Sequence, residues 1–211
     1  PDHEIRAAFG LPSPNTLPGD LAARSLTLPL DELKRQNPET LAIPDIRDPA
    51  SARISNKLYR CWPPFGAEIA GLPIRDFSRE IDMSDKNGVF NQDPTGVPIY
   101  EGRMIDFFDH RAKRYVNGHG NSSVWEETPF GSARKGIVPQ WCVAEADMAN
   151  NATRSRIRNF RVGFMDIADP GRQRSFVSAI VPPLNICGHT VPTITFPGCA
   201  WYTPIYLAVA N

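Results

Sequence analysis

The chain has 211 residues, with 23 Lys and Arg against 23 Asp and Glu, so it carries no net charge when its four histidines are neutral. That balance argues against a free-standing, strongly basic nucleic-acid binder, and no apolar run approaches the roughly 20 residues a bilayer-crossing helix needs. The four cysteines lack any Cys-x-x-Cys pair and read as isolated core thiols rather than a zinc site or disulfide framework.

A chain of this size forms one or two domains and buries a core without staples. It begins at Pro1 and ends in the apolar run Trp201 to Ala210. We read it as a piece of a longer cytoplasmic protein, with a processed mature chain as the rival reading. Residues 1 to 30 carry four prolines after Gly10 and read as a connector from a preceding domain, leaving 31 to 211 as the main domain. Arg24 to Leu30 predicts a strand and Asp31 to Arg35 a helical turn, which Asn37-Pro38 breaks. The clearest helix starts at Asp48-Pro49, where Asp caps the free amides and Pro fills the first helical position. Ile54, Leu58 and Cys61 recur on one face of it, and Pro63-Pro64 ends it. Arg53, Lys57 and Arg60 fall away from that face and read as solvated.

Between residues 66 and 96 spacing alone does not decide helix against strand. Asp85 to Gly88 and Asp93 to Gly96 are turns without a calcium-loop pattern. Val97 to Tyr115 organises the chain: Met104, Ile105, Phe107 and Phe108 form an apolar run between polar clusters. Two strands joined at a Glu101-Gly102 turn are predicted, with Tyr100, Arg103, His110, Arg111 and Arg114 reaching a surface. Val116 to Arg134, rich in Asn, Gly and Ser, reads as a surface loop. Asp109, His110 and His119 are the raw material of a metal-dependent nuclease, but no further ligand accompanies them, and His110 reads better as a polar residue at a strand end.

Arg154, Arg156, Arg158 and Arg161 follow, then predicted strands at Val162 to Ile167 and Ser175 to Val181 around an Asp169-Pro170-Gly171 turn with Arg172 and Arg174. From Ala152 to Arg174 six arginines face two aspartates, the strongest local positive field in the chain. The halves differ likewise: residues 1 to 100 hold eleven Lys and Arg against fourteen Asp and Glu, and residues 101 to 211 hold twelve against nine. A last strand is predicted at His189 to Phe196. Trp201, Tyr202 and Tyr206 then read as an aromatic tail packed on a further domain or a partner.

The run Tyr100-Glu101-Gly102-Arg103-Met104-Ile105 with Phe108-Asp109-His110-Arg111 resembles a motif of large adenine-N6 DNA methyltransferases, those of type IIG restriction-modification enzymes and BREX-type phage defence. Four stretches match in the same order: Asn37-Pro38-Glu39-Thr40 with Pro44; Asp48 to Pro64 with Leu58-Tyr59-Arg60; Phe77 to Phe90 with Met83 and Asp85; and Phe160-Arg161 through Arg174 to Pro182. Together they cover most of Leu30 to Pro192. The sequence departs from the family at Arg172-Gln173-Arg174-Ser175, where Asn or Asp and then Glu-Arg-Thr is expected.

The resemblance implies the region after the catalytic domain, including part of the target-recognition apparatus. Its partners would be double-stranded DNA and the catalytic domain of the same parent chain. The parent would use S-adenosylmethionine; this piece has neither the Gly-rich cofactor loop nor the Asn/Asp-Pro-Pro-aromatic motif. Trp62-Pro63-Pro64-Phe65 puts a donor where that motif needs an acceptor, and Val181-Pro182-Pro183-Leu184 fails at both ends. The fold expected is α+β, a twisted and mainly antiparallel sheet with a few helices and long Pro/Gly-rich loops. Arg154, Arg156, Arg158, Arg161, Arg172 and Arg174, with Arg103, Arg111 and Arg114, are the expected DNA-facing residues. A structural module joining catalytic and specificity domains is the alternative.

Overall fold

The structure, a computed structural model, describes residues 3–11, 13, 15, 24–84, 89–133, 135–148, 151–169, 171, 174 and 176–210. The turn expected at Asp85 to Gly88, with Arg134, Pro170 and Arg172, lies outside the described residues. The fold is α+β with mostly antiparallel small sheets, and it divides into two compact units, Pro1–Ala67 and Glu68–Asn211. Among the described residues no helix is long and apolar enough to cross a membrane.

In the first unit, β1 (Glu4–Ala7) and β2 (Leu26–Pro29) pair antiparallel, so the stretch expected as connector supplies a hairpin. Leu26 and Leu28 are buried on one face of β2 while Thr27 is exposed, the alternation a half-buried strand requires. Helix α1 (Leu30–Gln36) follows at once, with Asp31 and Glu32 in its first turn and Lys34 and Arg35 in its last, each suited to the helix dipole. Leu33 joins Leu26, Leu28 and Ile46 in the core.

Helix α2 (Pro49–Cys61) is the one Asp48-Pro49 announced: Asp48 Oδ1 accepts from the Ser51 amide at 2.9 Å. Its orientation departs from expectation. None of its residues is buried, Ala52, Ser55, Asn56 and Tyr59 are half-covered, and the apolar stripe is exposed, with Ile54 at 62%, Leu58 at 55% and the following Trp62 at 70%. Polar partners on α1 explain this. Gln36 Nε2 donates to Asn56 Oδ1 at 2.7 Å, and Arg60 pairs with the buried carboxylate of Glu32. Those contacts hold the polar flank of α2 inward, and Cys61, expected in a core, is exposed with the stripe.

The second unit holds two four-stranded sheets and a hairpin. One sheet runs in the order β10 (Ser178–Val181), β9 (Arg161–Phe164), β12 (Thr193–Thr195), β3 (Asp76–Ser78), all antiparallel. The other runs β11 (Ile186–Cys187), β5 (Val97–Tyr100), β8 (Cys142–Val143), β4 (Phe90–Asn91), with β11 parallel to β5. The Val162 and Ser175 strand expectations correspond to β9 and β10. Gly163 is required between them, because a Cβ there would sit 2.6 Å from Val181 Cγ2. The expected surface loop after Val116 contains half of a hairpin instead: β6 (Lys113–Asn117) pairs with β7 (Val124–Glu127), and Tyr115 meets Trp125 edge-on at 5.7 Å.

No second strand follows Gly102. Gly102–Met104 is a 3₁₀ turn, and Gly102 is needed for close approach rather than for positive φ: its amide donates to Thr190 Oγ1 at 3.0 Å, and an added Cβ would lie 3.1 Å from the Thr190 carbonyl. Met104 and Ile105 are buried as expected, but Phe107 is only half-buried and Phe108 is 52% exposed. A tight turn from Asp106 to Asp109, with Phe108 at φ +57, swings both rings out of the core. The aromatic tail is helix α4 (Tyr202–Ala210), preceded by α3 (Asn151–Arg156) earlier in the chain. Tyr202 and Tyr206 pack on Phe196 at 5.1 and 5.2 Å rather than waiting for another domain.

Candidate functional site

The basic segment does not form one surface. Arg161 on β9 is fully buried: its Nη2 donates to the Asn185 carbonyl at 2.7 Å, its Nη1 to the Asn159 carbonyl at 2.8 Å, and its Nε lies 2.7 Å from Glu80 Oε1, an ion-pair contact with the N–H directed off the oxygen. Arg156 at the end of α3 keeps 8% of its side chain exposed, pairs with Asp76, and donates to the carbonyls of Asp76 and Thr193 at 2.7 and 2.9 Å. Arg154 is half-buried and donates to the Ala146 and Met148 carbonyls. Arg156 and Arg161 are thus held inside the unit by protein partners rather than presented to a duplex, because buried guanidinium groups must be paired and hydrogen-bonded. Arg158 and Arg174 are exposed and have no side-chain partner among the described residues.

The central stretch distributes its charges similarly. Arg103 lies 5.1 Å over the Trp125 ring and donates to Ser123 Oγ at 2.9 Å. Arg114 pairs with Glu126 at 2.7 Å across the β6–β7 hairpin, and Arg111 donates to the Lys135 carbonyl. Of these, Arg103 and Arg114 stay on the surface and Arg111 is half-buried.

The nuclease set does not converge. Asp109 is taken by the buried ammonium of Lys135, His119 lies against Trp141 at 6.2 Å, and no group of three or more His, Cys, Asp or Glu among the described residues is placed to hold a metal ion. His110 Nδ1 sits 2.6 Å from the Tyr100 hydroxyl. Burial raises the Tyr100 pKa, so the phenol keeps its proton and donates, while burial pushes the His110 pKa down to about 4 and keeps the ring neutral. Between about pH 6.5 and 4 the unfolded chain binds a proton that the folded chain refuses, so stability falls as pH falls through that window. The expected loss is no more than about 2 kcal/mol, since a half-exposed ring is screened by solvent. Urea midpoints measured across pH for the parent and His110→Gln check this: the parent should lose more of its midpoint between pH 6.5 and 4 than the variant.

Searches against family models, curated proteins and solved structures returned no match. What the second unit does show is a cleft of about 830 Å³ that spacing in the sequence did not reveal. Its walls come from β3, from α3 with the turn after it, and from residues 195–200, three pieces of chain tens of residues apart. Both Pro-Pro steps follow the ends of elements, α2 and β10, and Trp62 caps α2.

Proposed function

We propose that this chain is a non-catalytic DNA-binding and target-positioning region of a cytoplasmic, S-adenosylmethionine-dependent adenine-N6 DNA methyltransferase from a restriction-modification or phage-defence system. The five motifs matching that family in order, from Asn37 to Pro182, carry the reading. The cofactor belongs to the catalytic domain of the parent chain, which with duplex DNA is the partner. Arg158 and Arg174 are the arginines best suited to phosphate, since each is exposed and unpaired among the described residues. Arg103 and Arg114 are exposed too, but each must share its charge with Glu101 or Glu126.

Neutralising Arg158 and Arg174 together is expected to weaken duplex binding and flatten its salt dependence. The log–log slope should drop by about 0.9 for each phosphate the variant no longer neutralises, so about 1.8 for both. The fold should hold, because exposed charges contribute little to stability. Binding isotherms over a salt series for the parent and the double variant, with melting curves alongside, provide the check. An unchanged slope in a folded variant removes these residues from the DNA surface.

One observation favours the second reading, a structural module. The outward apolar stripe of α2, Ile54, Leu58 and Trp62, has the character of a protein-contact surface rather than a phosphate-contact one. A parent chain that binds no duplex at low salt would favour it.

A further inference from the structure

Helix α2 divides its circumference into three sectors. Ala52, Asn56 and Tyr59 turn toward the unit, with Asn56 held by Gln36 on α1. Ile54, Leu58 and Trp62 stand about a third of a turn away, spaced four residues apart and each more than half exposed. Arg53, Lys57 and Arg60 form the border on one side of this stripe, where they line a shallow cleft of about 280 Å³. The opposite border is uncharged, made by Ser51 and the half-covered Ser55.

No Asp or Glu occurs between Pro49 and Cys61, so nothing within the helix answers the charge of that border. Arg60 is committed to Glu32, whereas Arg53 and Lys57 are exposed and make no ion pair among the described residues. What covers this face must bring apolar surface for the stripe and negative charge for one border only. A duplex supplies the charge but leaves the stripe in water. A bilayer surface supplies both, yet it presents the same headgroups to the two sides of a helix and so rewards cations on both borders. A second copy packed antiparallel about a two-fold axis sets basic border against basic border, and a parallel copy sets it against serine.

We propose that α2 docks an amphipathic helix of a partner protein that carries an apolar stripe and a row of Asp or Glu along one edge. The ridge of Ile54, Leu58 and Trp62 enters a groove between the partner's side chains, the usual way two helices pack, while Arg53 and Lys57 reach the acidic row. α2 is about 20 Å long, so it engages between three and four turns of the partner, by the rise of about 1.5 Å per residue. The inference shares the exposed stripe with the structural-module reading and goes beyond it by giving the occupant. It uses neither Arg158 nor Arg174, the arginines assigned to duplex DNA.

Three synthetic helical peptides with the same leucine stripe and an edge of Glu, Gln or Lys, titrated into the ¹⁵N-labelled full chain, test the proposal by NMR. The Glu-edged peptide should shift the amides of residues 51–62 saturably, and the Lys-edged one should bind about tenfold more weakly or worse, with Gln between. Leu58→Ser should weaken the Glu-edged peptide about fivefold or more without lowering the melting curve, since that side chain is exposed. Arg53→Glu with Lys57→Glu should invert the order and make the Lys-edged peptide the tightest. If that variant fails to fold, Arg53→Gln with Lys57→Gln should level the three affinities instead. No saturable shift, equal affinity for the three peptides in the parent, or an unchanged order in the folded charge variant overturns the proposal. So does tighter binding of α2 to phosphatidylserine vesicles, which would make the face a membrane contact, or a duplex that shifts the same amides, which would give the border to phosphate. Peptide binding in a chain that ignores duplex DNA keeps this site and sinks the DNA reading; duplex binding that depends on Arg158 and Arg174 without peptide binding does the reverse.

Discussion

Replacing Glu80 by alanine is expected to cost the second unit about 3–5 kcal/mol, a large share of the roughly 5–15 kcal/mol that holds an ordinary domain folded. The Glu80 side chain is fully buried and serves four groups at once. Its Oε1 lies 2.7 Å from Arg161 Nε, accepts from Thr193 Oγ1 at 2.9 Å, and sits 3.7 Å from Arg156 Nε, while Oε2 accepts from the Cys187 amide at 2.8 Å. Removing the carboxylate strands a fully buried guanidinium and an amide, and it weakens the hold on a second arginine. Thermal melts of Glu80→Ala should fall by roughly 10–20 °C if the unit unfolds in one step.

A double-mutant cycle separates the charge pair from the hydrogen bonds around it. Arg161→Met alone should destabilise strongly, because Glu80 is then buried beside only Arg156. Glu80→Leu with Arg161→Met should cost clearly less than the two singles added, since an apolar pair of similar volume avoids the desolvation penalty. It should not return fully to the parent, because the Cys187 amide and Thr193 hydroxyl lose their acceptor. Additive singles would show that Glu80 and Arg161 are not coupled.

This network also marks where the sequence stops being readable. Six arginines between Ala152 and Arg174 sum to a strong local charge whatever the fold, but that Arg156 and Arg161 are withdrawn from water depends on Asp76 and Glu80, far upstream in the chain. The helix α2 shows the same division. Asp48-Pro49 and the Pro-Pro stop are local chemistry and located both ends, whereas the direction its apolar stripe faces was decided by Gln36 and Glu32 on α1. An amphipathic pattern defines two faces without saying which neighbour will claim which. Strand β7 was hidden for a different reason, because Val124-Trp125-Glu126-Glu127 is short and follows a run of Gly, Asn and Ser that signals loop. The cleft was out of reach altogether, since its walls meet only after β3 pairs with β12.

Met104→Ala and Phe108→Ala, two truncations only four residues apart, are expected to differ by up to several kcal/mol. Met104 has no exposed surface and packs with Tyr100, Ile105, Ala179, Val181, Cys187 and Val191, so its loss leaves a cavity costing about 2–5 kcal/mol. Phe108 is the larger side chain and on hydropathy alone the better core candidate. It is half exposed, though, and its backbone is tied down by an amide donating to the Ser178 carbonyl at 3.0 Å. Truncating it keeps that bond and gives up only the covered half of the ring, so it should cost about 1 kcal/mol. Phe108→Gly should melt at or above Phe108→Ala, because φ +57 strains any residue with a Cβ and glycine tolerates it. Urea midpoints for the three variants and the parent read this out directly. A Phe108→Ala variant as unstable as Met104→Ala would mean that the Asp106 to Asp109 turn folds inward in solution and that Phe108 fills the core after all.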